Sequence, residues 1–193
     1  MFYELQTHQD QKHYKEMLAA MGSLSRLSSE SSTPYIGYRE AENIFCMCFR
    51  ADNLSRSDCS ADAAKNRIGI GIKTFLNGNG KTLQKVAEFN RDISLYKGKT
   101  PREIVEVVAK LRNERINATK RIHGLEELIY HCVVREEGNI LVFECPMDLI
   151  DIKSIKGIDA GVKNTISFTD GINEYSFNIS KSTLYKRFYT ENV

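Results

Sequence analysis

The run Arg67-Ile68-Gly69-Ile70-Gly71-Ile72-Lys73-Thr74-Phe75 constrains this chain more than any other stretch. Isoleucine alternating with a small residue is the pattern of a strand. Glycine inside a strand allows close approach of another group to the backbone. The segment Asn77-Gly78-Asn79-Gly80 then offers a turn with glycines for positive backbone angles. Lys73, near the end of this strand, is the first candidate functional residue.

The pattern around this strand predicts an α/β fold: a mixed central sheet flanked by helices, with extra β-hairpins toward the C-terminus. Residues 1–33 read as an N-terminal helix, Gln6 to about Met21, and a serine-rich loop. Residues 34–125 read as the core of a single domain. There a helical turn or two at Tyr38–Asn43 runs into the apolar block Ile44–Phe49, and if that block is a strand, Cys46 and Cys48 share a face. A helix is expected from about Lys81 to Leu95. Another starts at Thr100-Pro101-Arg102-Glu103, where threonine caps, proline takes the first helical position and glutamate closes a capping box. Residues 126–193 read as strand-rich. Hairpins are expected about Glu136–Asn139 and Asp170-Gly171, a strand at Ile150–Ile155, and a short basic helix or turn at Ser180–Phe188.

At 193 residues and 41% hydrophobic content the chain can bury one substantial core. Its formal charge of +2 gives no bulk signal for a polyanion partner, so any such contact must come from local clusters. No stretch approaches the roughly 18 apolar residues of a membrane span, so no membrane partner is expected. The start lacks the pattern of a signal peptide, and five cysteines without paired zinc spacing suit reduced thiols in a cytoplasm. His8, His123 and His131 have no metal-ligand spacing.

Asp58 and Asp62 lie just before the glycine-rich strand, and Glu88 lies fifteen residues after Lys73 (88 − 73). If the chain turns near Lys65-Asn66 and the strand before the turn is regular, Asp58 and Asp62, four positions apart, point to one sheet face, which Lys73 has to share with the true ligand; the sequence leaves open which aspartate that is. An acid, a turn, a strand ending in lysine and a second acid are the parts of a magnesium-dependent phosphodiesterase. Mg²⁺ is content with one or two carboxylates and its own waters, activates a water and accepts developing charge. A lysine beside it stabilises the charge on the phosphorane.

In this order the segment from about residue 34 to 92 resembles the type II restriction endonucleases of the PD-(D/E)XK nuclease superfamily. Ser57-Asp58 or Ala61-Asp62 stands for the first acid, and Gly71-Ile72-Lys73 for the acid-any-lysine element. Gly71 departs from the pattern, since an acid normally stands there. In a subset of these enzymes the missing carboxylate comes from the following helix, a position that Glu88 matches, with Gln84 one turn earlier. An acid on an N-terminal helix also occurs, for which Glu42 is the best match and Glu40 the second. The resemblance implies Mg²⁺-dependent, site-specific cleavage of double-stranded DNA, with Asp58 or Asp62 and Glu88 holding metal, Lys73 assisting, and Glu42 and Gln84 in support. A homodimer would match a two-fold symmetric site.

Candidate phosphate contacts are Arg56, the cluster Lys110, Arg112, Arg115, Lys120 and Arg121, and the C-terminal group Lys181, Lys186 and Arg187. The alternative function is a non-catalytic DNA-binding or specificity module with a degenerate nuclease core, which Gly71 favours. His13-Tyr14-Lys15 also resembles the histidine-any-lysine core of phospholipase D-like nucleases, but lacks that family's downstream aspartate and second copy.

Overall fold

Three flanking helices and one long strand set the frame of the first half. The computed structural model describes residues 1–193 apart from 28–29, 58, 162–163 and 192–193. The chain divides into two compact units built from interleaved segments. Met1–Gly78 with Ala118–Asp148 form the first, and Asn79–Asn117 with the chain from Leu149 form the second.

In the first unit, α1 (His8–Ser25) is capped by Thr7, whose side chain accepts from the Asp10 N–H, and buries Tyr14, Leu18 and Gly22 at successive turns. Helix α2 (Tyr38–Phe49) buries Ala41, Ile44, Phe45, Cys48 and Phe49, and ends where Arg50 takes a left-handed conformation, φ 52°. Strands β1 (Asp52–Asn53), β2 (Ala63–Lys65) and β3 (Ile68–Leu76) follow as an antiparallel meander. The β2–β3 turn is made by Asn66 and Arg67, both at positive φ, which is the expected hairpin at Lys65-Asn66. After the chain passes through the second unit, α4 (Pro101–His123) returns it to the first. Strand β5 (Glu127–Glu136) then lies parallel to β3, and β6 (Asn139–Pro146) turns back antiparallel to β5. The sheet order is β1-β2-β3-β5-β6, a mixed sheet.

In the second unit β4 (Lys81–Glu88), β7 (Lys156–Gly161), β8 (Thr165–Thr169), β9 (Glu174–Asn178) and β10 (Thr183–Tyr189) form an antiparallel sheet of order β4-β10-β9-β8-β7. The short α3 (Ile93–Tyr96) and most of α4 belong to this unit. Phe89, Tyr96, Val105, Val108, Phe177 and Leu184 are among its core residues. At the start of α4 the capping box is formed: Thr100 N–H and Oγ1 both donate to Glu103 Oε2, at 2.9 and 2.6 Å.

Four expectations are corrected. Residues 44–49 continue α2, which puts Cys46 and Cys48 on different sides of a helix, one half-buried and the other buried. Residues 81–88 are a strand whose backbone pairs along its length with β10; alternating half-buried Thr82, Gln84 and Val86 fit a sheet face as well as a helix stripe. Residues 150–155 are not a strand, because the Asp151 carboxylate turns the chain by accepting from Lys153 N–H and Ser154 Oγ. Residues 183–189 are the strand β10 instead of a basic helix or turn, and β10 lies between β4 and β9.

A polar chain crosses the first core. His131 on β5 is fully buried, and faces its cross-strand partner Glu144 on β6. Its Nδ1 lies 2.8 Å from Glu144 Oε1 and its Nε2 lies 2.9 Å from the Tyr14 hydroxyl of α1, while Glu144 Oε2 accepts from Tyr3 N–H at 3.0 Å. Every member supplies a partner for another, which buried polar groups require. Replacing His131 by leucine strands the Glu144 carboxylate in the core and is expected to lower unfolding free energy by about 3 kcal/mol. The double variant His131→Leu, Glu144→Leu should recover the larger part of that loss. Urea unfolding of both proteins measures this; equal stability of wild type and His131→Leu contradicts it.

Candidate active site

Strand β2 stays paired with β3 only as far as Ala63 opposite Ile70. Asp62, the residue before it, donates its N–H to the Ile70 carbonyl at 2.8 Å, and its carboxylate Oδ2 accepts from Ile72 N–H at 2.7 Å. The side chain thereby takes the place that the next β2 backbone group would fill, and the carboxylate is fixed at the point where the two strands part. Lys73 follows immediately on β3. Its Nζ lies 6.0 Å from the Tyr130 ring centroid, and it has no ion pair among the described residues.

Glu42, on α2, is near enough to Asp62 and Lys73 to feel their charges. Its side chain is only 7% exposed, and Arg39 Nη1, one turn earlier on the helix, lies 3.0 Å from its Oε2. Burial pushes the Glu42 carboxyl above the ordinary carboxylate value, and the negative charge of Asp62 pushes it further; Arg39, the Ser55 hydroxyl and Lys73 pull the other way. Asp62, just before β2, and Lys73, on β3, therefore both act electrostatically on Glu42 of α2. One turn after Glu42, the half-buried Cys46 thiol is pushed up to about 11, by burial first and then by Glu42, Asp62 and Asp52, so it stays a neutral thiol.

Asp58 lies outside the described residues; Ser57 N–H donates to the Leu54 carbonyl at 2.8 Å, and β2 begins only at Ala63, after Asp62. The expectation of a regular strand carrying both aspartates therefore does not hold. Glu88 and Gln84 are on β4 of the second unit, not on a helix. The Glu88 carboxylate is bonded to Lys85 Nζ at 2.8 Å and to Asn90 Nδ2, and these partners, Lys85 foremost, hold it below the ordinary range. Gln84 Nε2 donates to Thr82 Oγ1. Glu40 is exposed in the first turn of α2.

Gly71 has a packing reason. A Cβ there would sit 2.7 Å from Met147 Cε and 3.3 Å from the Tyr130 ring, so the space an acid would need is filled by the core on that side of β3. Among the described residues no three histidine, cysteine, aspartate or glutamate side chains gather into a metal-holding group. The side chains here that could hold a divalent ion are Asp62, whose Oδ1 has no hydrogen bond among the described residues, and Glu42. This fits an ion that takes one or two carboxylates and keeps its waters, and a cation between them would relieve their mutual repulsion.

The expected phosphate contacts separate by burial. Arg112 and Lys186 are 3% and 7% exposed. Arg115 donates to the Glu88 carbonyl at 2.7 Å and stacks 4.9 Å from the Phe89 ring, and Arg187 is bonded to Glu174. Each of these four is structural in its unit. Lys110, Arg121 and Lys181 are exposed and Lys120 half-exposed. Arg56 is exposed beside Ser55. Missed in the sequence is Arg39, whose signal was its i,i+3 spacing to Glu42 on a helix.

No protein-family model, no curated protein and no solved structure matches this chain.

The raised Glu42 carboxyl sets a pH dependence. Because the folded state holds this proton more tightly than the unfolded chain, its penalty is absent below the ordinary value of 4.5 and grows as pH rises through the raised value. Glu42→Gln should therefore melt above wild type at pH 7 to 8, by roughly 2–4 °C for each kcal/mol relieved, and with it at pH 4. Thermal unfolding across that range checks the sign; a Glu42→Gln protein less stable at pH 8 than at pH 4, relative to wild type, contradicts it.

Proposed function

We propose that this protein is a Mg²⁺-dependent endonuclease that cleaves double-stranded DNA at specific sites, in the manner of a type II restriction enzyme. The observation that carries the reading is the convergence of Glu42, Asp62 and Lys73, from helix, strand start and following strand, in the order of the acid, hairpin and lysine that the sequence resembles. Asp62 and Glu42 would hold the ion, and Glu42 takes the part first expected of Glu88. Bound there, Mg²⁺ supplies a water of lowered pKa and a sink for charge.

The protein's own groups do the rest. The Ile72 N–H fixes one oxygen of Asp62 and so orients the other. Lys73 places an ammonium where negative charge develops on the phosphate oxygens as water adds and the bond to the leaving sugar oxygen breaks. Burial of Glu42 makes it a weak acid until a cation arrives, which ties ion binding to loss of a proton. Cutting both strands of a two-fold symmetric sequence calls for two such sites, hence a homodimer. Free cysteines suit the reducing cytoplasm in which such an enzyme meets DNA.

Gly71 favours a second reading, a DNA-binding or specificity module whose catalytic core has lost an acid. Cleavage decides between them. With Mg²⁺ the wild type should cut mixed-sequence plasmid or phage DNA into discrete fragments. EDTA, Asp62→Asn and Lys73→Ala should each abolish cutting, with losses of about a hundredfold or more. Glu88→Ala should cut as wild type. Intact DNA with folded wild-type protein and a salt-dependent gel shift would leave the binding module.

A further inference from the structure

We infer that Arg39 is a DNA-contacting residue, whose guanidinium binds a backbone phosphate of the duplex beside the Glu42–Asp62–Lys73 site. The inference rests on the nuclease reading for its choice of ligand, while its geometry stands alone. Arg39 Nη1 is anchored twice, to Glu42 Oε2 at 3.0 Å and to Ser55 Oγ at 2.7 Å. Ser55 is itself held, because Asn53 Oδ1 accepts from its N–H at 3.1 Å and from its hydroxyl at 2.6 Å, and Asn53 Nδ2 reaches back to Asn43 Oδ1 of α2 at 3.4 Å. The ring of bonds joins α2 to the loop after β1 and fixes one edge of the guanidinium.

The other edge is free for a ligand. The side chain is 46% exposed, and Nε and Nη2 have no hydrogen bond among the described residues. The guanidinium carbon lies 5.4 Å from the centroid of Tyr38, which is 65% exposed, so one face of the fork is braced by an aromatic ring. Ion pairing with Glu42 explains Nη1 but not a planar fork held edge-outward between a tyrosine and a serine. That arrangement suits a tetrahedral anion that accepts two parallel N–H bonds. Arg56, the residue after Ser55, is exposed and adds a second cation to this segment. A phosphodiester backbone supplies anions at regular spacing, and one placed on Arg39 would lie beside the carboxylates that hold the ion. Neutralisation of Glu42 by Mg²⁺ would also release Arg39 from part of its ion pair, so ion binding and phosphate binding would favour each other.

The test is duplex binding in EDTA, where no cleavage occurs, measured by fluorescence anisotropy across a salt series with wild type, Arg39→Ala and Arg39→Lys, each checked for folding by circular dichroism. Loss of one phosphate contact should flatten the slope of log Kd against log salt by about 0.9 in Arg39→Ala, whereas Arg39→Lys keeps the wild-type slope. A folded Arg39→Ala protein with the wild-type slope overturns the inference. If wild type also cuts DNA with Mg²⁺, that result leaves the nuclease reading standing. A flattened slope with no cleavage by any of the proteins supports the Arg39 contact and overturns the nuclease reading. Wild-type protein that binds duplex without salt dependence overturns the contact.

Discussion

Strand β3 is buried on both faces, and the architecture of the first unit follows from that constraint. One face carries Ile70 and Ile72 into the core beneath α1 and α2, with Tyr14, Phe45 and Phe49. On the other, Gly69 and Gly71 leave room for Leu125, Leu128, Tyr130 and Met147 to lie close against the backbone. A strand sandwiched in this way cannot shift register without exposing its isoleucines, so the backbone at Ile72 is a rigid reference point. Asp62 is bonded to that point, and Lys73 is the next residue. The precision of the acid–lysine arrangement is therefore inherited from the packing of a strand that has no polar side chain until Lys73.

The same packing accounts for the electrostatics. Glu42 is placed by a helix whose other inward residues are Ala41, Ile44, Phe45, Cys48 and Phe49, and it is desolvated because α2 lies on the core. A second carboxylate, Asp62, is near enough to raise it further. Such an arrangement costs stability unless a cation compensates, and Arg39 with Lys73 compensates only in part. Perturbed charges of this kind cluster at functional sites, and this supports the proposed ion site. In the same unit the Tyr14–His131–Glu144 chain is more deeply buried, yet each of its members is bonded within the core, and it serves the fold.

The first unit was more legible than the second. Strand β3, the turn at Lys65-Asn66 and the hairpin about Glu136–Asn139 have local causes, namely alternation and turn residues, and each is present, as is the cap at Thr100 in the second unit. The α/β class follows from them. Residues 81–88 were misread because eight residues with apolar positions at 83, 86 and 87 satisfy a helix pattern and a strand pattern equally, and only pairing with β10, about a hundred residues away, decides. Residues 183–189 depend on the same long-range pairing. The division into two units is only partly marked locally: the chain leaves the first unit within the turn Asn77-Gly78-Asn79-Gly80, but it returns in the middle of α4, between Asn117 and Ala118, where no turn residue signals a boundary. In the site, Lys73 was named from the strand it ends, Asp62 as an alternative to Asp58, and Glu42 only from the family resemblance. The choice of Glu88 failed with the helix that was to carry it, and Arg39 is seen only once Ser55 and Asn53 are in place around it.

Proton-linked metal binding tests the assignment of Asp62 and Glu42 most directly. Calorimetric titration of Mn²⁺ or Mg²⁺ in buffers of different ionisation enthalpy gives both affinity and protons released. If the two carboxylates hold the ion, wild type binds it more tightly as pH rises and releases protons near the raised Glu42 value, Glu42→Gln binds more weakly without that release, and Asp62→Asn binds little. Equal binding by wild type and both variants, with no pH dependence, would contradict the assignment.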